Sequence, residues 1–347
     1  MTDRDVAEKL GVQYVLQGTV RTRQDRIRLT VELVDGASGA VLWSERYDRV
    51  LTDILEIEAE VAGAITASLS LKIEEAQYER HRHLSGDQLS AYNLRLRGNR
   101  FLELAGKDNL ERARECFTNA LKLEPHSAPA FAGLSVSYGY ECDQLVTANY
   151  GASLERHVEF AERAVALDET DSRSHYAMYC ANLFSGRFES ADLHAKHALE
   201  LNPSEYHNLC GRGYTLMSLG RIDESLASFN QSLRRNPLAP NSCLRALGVI
   251  EYLETNYDQS AVVISRMTNS NVQKTSTLAA ARAQLGYSDE ARDAALEFNR
   301  VSKVLPGCPT GRDTREWQTF WRRAFPYLKD EAIEHLLEGF RMVNLPG

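Results

Sequence analysis

Three helix ends in this chain fall at a fixed interval. Asp168-Glu169, Asn202-Pro203 and Asn236-Pro237 each close an amphipathic stretch, and Glu169, Pro203 and Pro237 lie 34 residues apart and 34 again. A strict period of that length marks a helix–turn–helix unit repeated in tandem, because one such unit cannot bury its apolar stripe alone and must stack on the next. The resulting array is quasi-linear and turns a concave face to a partner. The expected fold class is therefore mainly α, an α-solenoid, and the period argues for binding before catalysis.

The residues between the marks follow the same logic from Ser90 to about Asn299, a repeat region of five to six units over 86–300. The third unit, Ser172 to Pro203, has Gly186 at its turn and Ala191, Ala195 and Ala198 down its second helix. The fourth, Tyr206 to Pro237, places Gly213, Gly220, Ser225, Phe229 and Ser232 in register. Small residues belong there because helix axes approach to about 8–9 Å only when the facing side chains are small. The first unit ends in Ala113 to Pro125, a close match to the second-helix pattern. The second opens with Phe131, Leu134 and Tyr138 and reaches Ala161, Ala164 and Leu167 after an extra stretch near Cys142 to Ser153. A fifth (Leu244, Leu247, Gly248, Ser260) and a sixth (Leu278, Ala279, Gly286, Ala291) are degenerate. This pattern resembles the tetratricopeptide repeat (TPR).

The first 50 residues are of another kind. Asp5 to Leu10 reads as a short helix stopped by Gly11. Three strands follow: Val12–Val20, Arg26–Val34 and Ala40–Tyr47, with turn chemistry at Asp35-Gly36-Ala37-Ser38-Gly39. Ile27, Leu29, Val31 and Leu33 alternate with polar neighbours, so one face of the second strand is buried. A small, incomplete three-stranded α/β element over 1–50 is expected. A long connecting helix over 51–85 is expected next, capped by Asp53 and Glu56, with Ile54, Ile57, Val61, Ile65 and Leu69 on one face. Residues 301–347 break the repeat; Trp317, Phe320, Trp321 and Phe325 crowd one helix face, as expected of helices capping the last repeat.

Charge and motifs exclude several classes. The net charge of −8 is the wrong sign for general nucleic-acid binding. No apolar run approaches the roughly 18 residues a membrane span needs. Six cysteines without a CxxC pair suit a cytoplasmic chain with reduced thiols, and Cys180, Cys210 and Cys243 fall within helical patterns as buried thiols. No Walker loop, GxGxxG, HExxH or GxSxG occurs. His81 and His83 are two apart, which suits no zinc pattern, and His194 and His197 beside Asp192 lack further ligands nearby in sequence. Arg212, between Gly211 and Gly213, reads as a repeat feature. No catalytic residue, metal or cofactor is expected.

The run Val6 to Val20, with Leu33-Val34-Asp35 and Leu42 to Arg49, is similar to the later part of a TolB-type amino-terminal α/β domain that precedes TPR units in bacterial regulatory proteins. The ending Leu336 to Arg341 with Leu345-Pro346 resembles theirs too. The resemblance implies a class III adenylate or guanylate cyclase domain, or a winged-helix regulator domain, upstream in such proteins. It also implies that this chain starts inside the α/β domain and holds no cyclase catalytic domain.

The repeat register assigns the inner surface of the array to Tyr140, Arg173, Tyr176, Phe184, His207, Tyr214, Arg245 and Tyr252. Aromatics with arginines are the composition of binding surfaces. Tyr176, Cys180, Cys210 and Tyr214 stand where chaperone-binding repeats carry their carboxylate clamp, so a terminal chaperone peptide is not the expected ligand. The expected function is a non-enzymatic protein–protein interaction scaffold in a bacterial signalling system, holding a protein or peptide segment in its groove. The alternative is the regulatory portion of a cyclase or transcriptional regulator whose effector domain lies elsewhere. Pairing into a homodimer through the open edge of the incomplete sheet is a further expectation.

Overall fold

The computed structural model describes residues 3–23, 26–50, 90–104, 106–203, 205–236, 241–311 and 313–346. The expected helix over 51–85 and the pair His81/His83 lie outside the described residues. The chain divides into two compact units, one reaching to Gln88 together with Arg234–Asn236, the other Leu89–Leu233 with Pro237–Gly347.

In the first unit, α1 (Asp3–Leu10) leads into β1 (Tyr14–Arg23), β2 (Arg26–Asp35) and β3 (Val41–Val50). The three form an antiparallel sheet in the order β1-β2-β3. The period-two pattern sets the register: Leu16 faces Leu33, and Leu33 faces Trp43 across the next ladder. Val31 and Tyr47 are buried together, with Leu29 and Trp43 against them. Asp35 closes the β2–β3 connection by accepting from the backbone of Ala37 and Ser38 at 3.0 and 2.8 Å, the local bonding that suits aspartate to turns.

Among the described residues the second unit holds six helical hairpins: α2 (Ala91–Leu104) with α3 (Lys107–Leu123), α4 (Ala128–Asp143) with α5 (Tyr150–Leu167), α6 (Ser172–Phe184) with α7 (Phe188–Leu201), α8 (Tyr206–Ser218) with α9 (Ile222–Arg235), α10 (Asn241–Leu253) with α11 (Tyr257–Ser265), and α12 (Val272–Gln284) with α13 (Ser288–Ser302). Two more helices follow, α14 (Thr314–Ala324) and α15 (Asp330–Met342). The whole is a TPR-like solenoid preceded by the three-stranded sheet. Asn149, Asp171, Glu205 and Asn271 cap α5, α6, α8 and α12 with their side chains.

Small residues decide how closely the helices cross. A Cβ on Gly213 would meet the Phe229 ring at 2.7 Å, and one on Gly248 would strike Ile264. Phe117 fills the same role twice, lying against Gly98 and Gly133. Phe117, Phe229 and Ile264 are fully buried as a result. Gly186 and Gly220 turn the third and fourth hairpins at φ 70° and 79°, a left-handed conformation glycine adopts freely. The fifth hairpin makes its turn with Thr255 at φ 61°, so the turn glycine of its neighbours is absent from its sequence.

The first helices of successive hairpins stack along the inner face, α4 on α6 and α10 on α12. The last segment covers the final hairpin, with Trp321 stacked 5.5 Å from Phe298 of α13. It also reaches further than a cap. Helix α15 packs on the first helices α10 and α12, and α14 touches α4. Arg323 of α14 lies over Tyr150 of α5. Trp321 donates its indole N–H to the Pro346 carbonyl at 2.7 Å, fixing the end of the segment beneath α14.

Candidate functional site

The inner face, with Val301, Val304, Leu305 and Tyr327, encloses a cavity of about 420 Å³. Its walls come from α4, α6, α8 and α10, His157 of α5, the α11–α12 connection, the end of α13, and Tyr327 between α14 and α15. Val304, 78 % exposed, and the partly exposed His207 belong to its lining and mark where it meets solvent.

The eight residues assigned to the inner surface divide clearly. Tyr140, Tyr176, Phe184, His207, Tyr214 and Arg245 all line the cavity. Arg173 is exposed outside it. Tyr252 is fully buried elsewhere, its ring 5.2 Å from His335 of α15. Its hydroxyl lies where a side chain on Gly339 would go, so α15 covers it.

Tyrosines dominate the site. Tyr176 meets Tyr179 edge-on at 5.1 Å, and Tyr214 lies 4.8 Å from Tyr327. Tyr140 and Cys180 line the cavity beside these rings. Gly211 lets the Tyr179 ring lie directly on the α8 backbone. The phenols of Tyr140, Tyr176, Tyr179, Tyr214 and Tyr327 all hold their protons more tightly than usual, chiefly through burial. Burial likewise pushes the Cys180 thiol up to about 12.

One ion pair stands in the wall. Arg245 grips Asp143 with both terminal nitrogens, at 2.8 and 3.2 Å, and gives its Nε–H to the Tyr214 hydroxyl at 3.3 Å. Tyr214 in turn donates to the Ser242 carbonyl at 2.7 Å. Gln273 of α12 donates to the Asp143 carbonyl at 2.9 Å, so the end of α4 is tied to two distant hairpins.

Below the rings lies His157. Ser135 Oγ is 2.8 Å from the His157 carbonyl and 2.7 Å from its Nδ1. A hydroxyl has one proton and a carbonyl only accepts, so Nδ1 carries the proton that bonds Ser135 and Nε2 is left as a bare acceptor. Burial holds this ring neutral, lowering its pKa from 6.5 to about 3.

Sequence reasoning missed Tyr179, Asp143, His157 and Tyr327. Tyr179 faces a glycine of the next hairpin and reads as core, and Tyr327 sits in a segment whose path back to the inner face has no period. The other histidine group lies apart from the cavity. His175 Nδ1 and His194 Nδ1 are 2.9 Å apart, His175 Nε2 donates to the Glu169 carbonyl, and Asp192 pairs with Arg212 and Lys196. Among the described residues no cluster of three or more such groups could hold a metal.

Comparisons with known proteins agree with the fold. A tetratricopeptide repeat profile matches residues 206–237. The human IFIT1 dimer with m7Gppp-AAAA is similar over 75 % of this chain and 60 % of that one, at 16 % identity and a TM-score of 0.55. The APC/C hetero-tetramer Cut9-Hcn1 is similar over 81 % of this chain and 50 % of that one, at 13 % identity and a TM-score of 0.50. "Putative adenylate cyclase 3" of Rhizobium meliloti (strain 1021) is 31 % identical over 193 residues, 54 % of this chain. The chain spans about a third of that relative's length, 32 %. Among the described residues no helix is long and apolar enough to cross a membrane. The array is thus a TPR-type solenoid, with a recognised repeat at 206–237.

Proposed function

We propose that this chain is a non-catalytic, regulatory interaction module of a bacterial signalling protein. The observation that carries this reading is the inner face itself: first helices of four hairpins converge there with aromatic, arginine and histidine side chains, and a solenoid of this kind presents that face to partners. Val301, Val304, Leu305 and Tyr327 already occupy part of the face. A partner's segment is therefore expected over the exposed Arg173 and the partly exposed His207, at the first helices of the third and fourth hairpins.

The test is capture of a partner by the purified chain. Arg173→Glu with His207→Glu is expected to weaken capture about tenfold or more, as loss of interface anchors does, while the helical circular dichroism is unchanged. Capture equal to the parent chain would remove the inner face as the docking surface. Assays with manganese and ATP or GTP are expected to show no cyclase turnover.

A second reading has its own support, the match to the Rhizobium meliloti relative with the adenylate cyclase name. The chain would then regulate a cyclase domain, and the TolB-type and winged-helix resemblances belong with this reading. The sequence upstream of the gene distinguishes the two. Self-pairing through β1 or β3, the outer strands of the described sheet, is tested by sedimentation at high concentration; a strictly monomeric species would exclude it.

A further inference from the structure

We propose that the cavity is a binding site for a free small molecule that is uncharged, flat and aromatic, and that carries a hydrogen-bonding group. The inference goes beyond the interaction module proposed above and needs no protein partner. A volume of about 420 Å³ lies in the range of small-molecule sites, roughly 300–1,000 Å³, and is too small for a length of polypeptide.

The walls state the chemistry. Tyr140, Tyr176, Tyr179, Tyr214 and Tyr327 offer ring faces and edges from three first helices and the covering segment. Aromatic rings in this number favour a flat aromatic guest through offset and edge-on contacts. Charge is disfavoured. Asp143 and Arg245 neutralise each other, and the Arg245 nitrogens are all committed to Asp143 and Tyr214. A carboxylate or an ammonium group would enter with no free counter-charge, and burying an unpaired charge is costly.

Polar atoms await a partner. The Tyr327 hydroxyl is buried and has no hydrogen-bond partner among the described residues, and the same holds for His157 Nε2. Both residues line the cavity. Buried polar groups are nearly always satisfied, so two orphans just behind one cavity wall point to a partner supplied from outside, which reaches them once the rings beside them shift. The hydroxyl can donate and the imidazole nitrogen accepts, which suits a guest with both an acceptor and a donor, such as a phenol or an amino-substituted heterocycle. Tyr327 also lies in the segment that closes the cavity, so the guest would hold that segment down.

Titration calorimetry on the purified full chain tests this with 2-naphthol as the neutral probe, and 2-naphthoate and 2-naphthylmethylammonium as charged ones. Saturable one-to-one binding of 2-naphthol is expected at about 100 µM or tighter, with the charged probes at least about tenfold weaker. Val136→Phe, which fills the cavity from α4, is expected to weaken it about tenfold or more. Tyr327→Phe removes a hydroxyl the fold does not use, so the chain stays folded and binding falls about three- to tenfold. No saturable binding of 2-naphthol at millimolar concentration would overturn the proposal. Equal binding of a charged probe would do the same, as would parental affinity in Tyr327→Phe together with Val136→Phe. Should Val136→Phe fail to fold, Tyr327→Phe decides alone. Partner capture is measured separately, so failure here leaves the interaction module standing.

Discussion

Gly248 carries no side chain because Ile264 occupies the space a Cβ would take. Gly248→Ala is therefore expected to destabilise the array by about 1–3 kcal/mol through overpacking, read as a lower urea midpoint at unchanged slope. Gly213 and Gly248 were legible in the sequence as register marks because their spacing follows the helix crossings. The Asp143–Arg245 pair was not, since 102 residues separate its members and no period links them. Asp143→Ala leaves a buried guanidinium without its partner and is expected to cost about 3 kcal/mol or less, discounted because Asp143 is partly exposed. Adding Arg245→Met should restore part of that loss. His157 sets a pH dependence. Its folded pKa lies near 3, so below pH 6.5 the unfolded chain binds a proton that the folded chain refuses. Stability present above pH 6.5 is lost as the pH falls from 6.5 towards 3, at about 1.4 kcal/mol per pH unit. Urea titrations between pH 6.5 and 5, above most carboxylate titrations, should show at least this slope, and His157→Gln should reduce it, leaving the part owed to His194, whose pKa burial lowers to about 4.

At the scale of elements, the sheet, the hairpins and the closing helices differ in how much the sequence discloses. The three strands lie within a few residues of their expected ends because alternation and turn residues are local signals. The third and fourth hairpins read equally well. The aromatic face of α14 was also legible, whereas its destination was not. Residues Trp317, Phe320, Trp321 and Phe325 announce that something must be covered, and only the packing shows that α15 lies on α10 and α12. Trp321 is fully buried among Phe298, Phe325 and Phe340. Trp321→Ala is expected to cost about 3–5 kcal/mol. The chain has 3 tryptophans, Trp43, Trp317 and Trp321. In a Trp43→Phe background emission comes from the closing segment alone, so its release should appear as a red shift.

For the whole molecule, the two compact units each have a core of their own. Residues 90–347 made alone are expected to keep the helical circular dichroism of the array. Six of the eight residues assigned to the inner surface gather at one cavity, since the repeat register carries over from hairpin to hairpin. What the register does not carry is contact between hairpins far apart in the chain. An ordinary solenoid touches only its nearest neighbours and can stretch like a coil spring. Here the end of α4 is bonded to α10 and α12, and the closing helices lie across the same turn. These cross-ties fix the pitch of the coil. Under load the array should behave as a stiff strut until the ties part, so a pull at one end is passed to the other instead of being absorbed along the way.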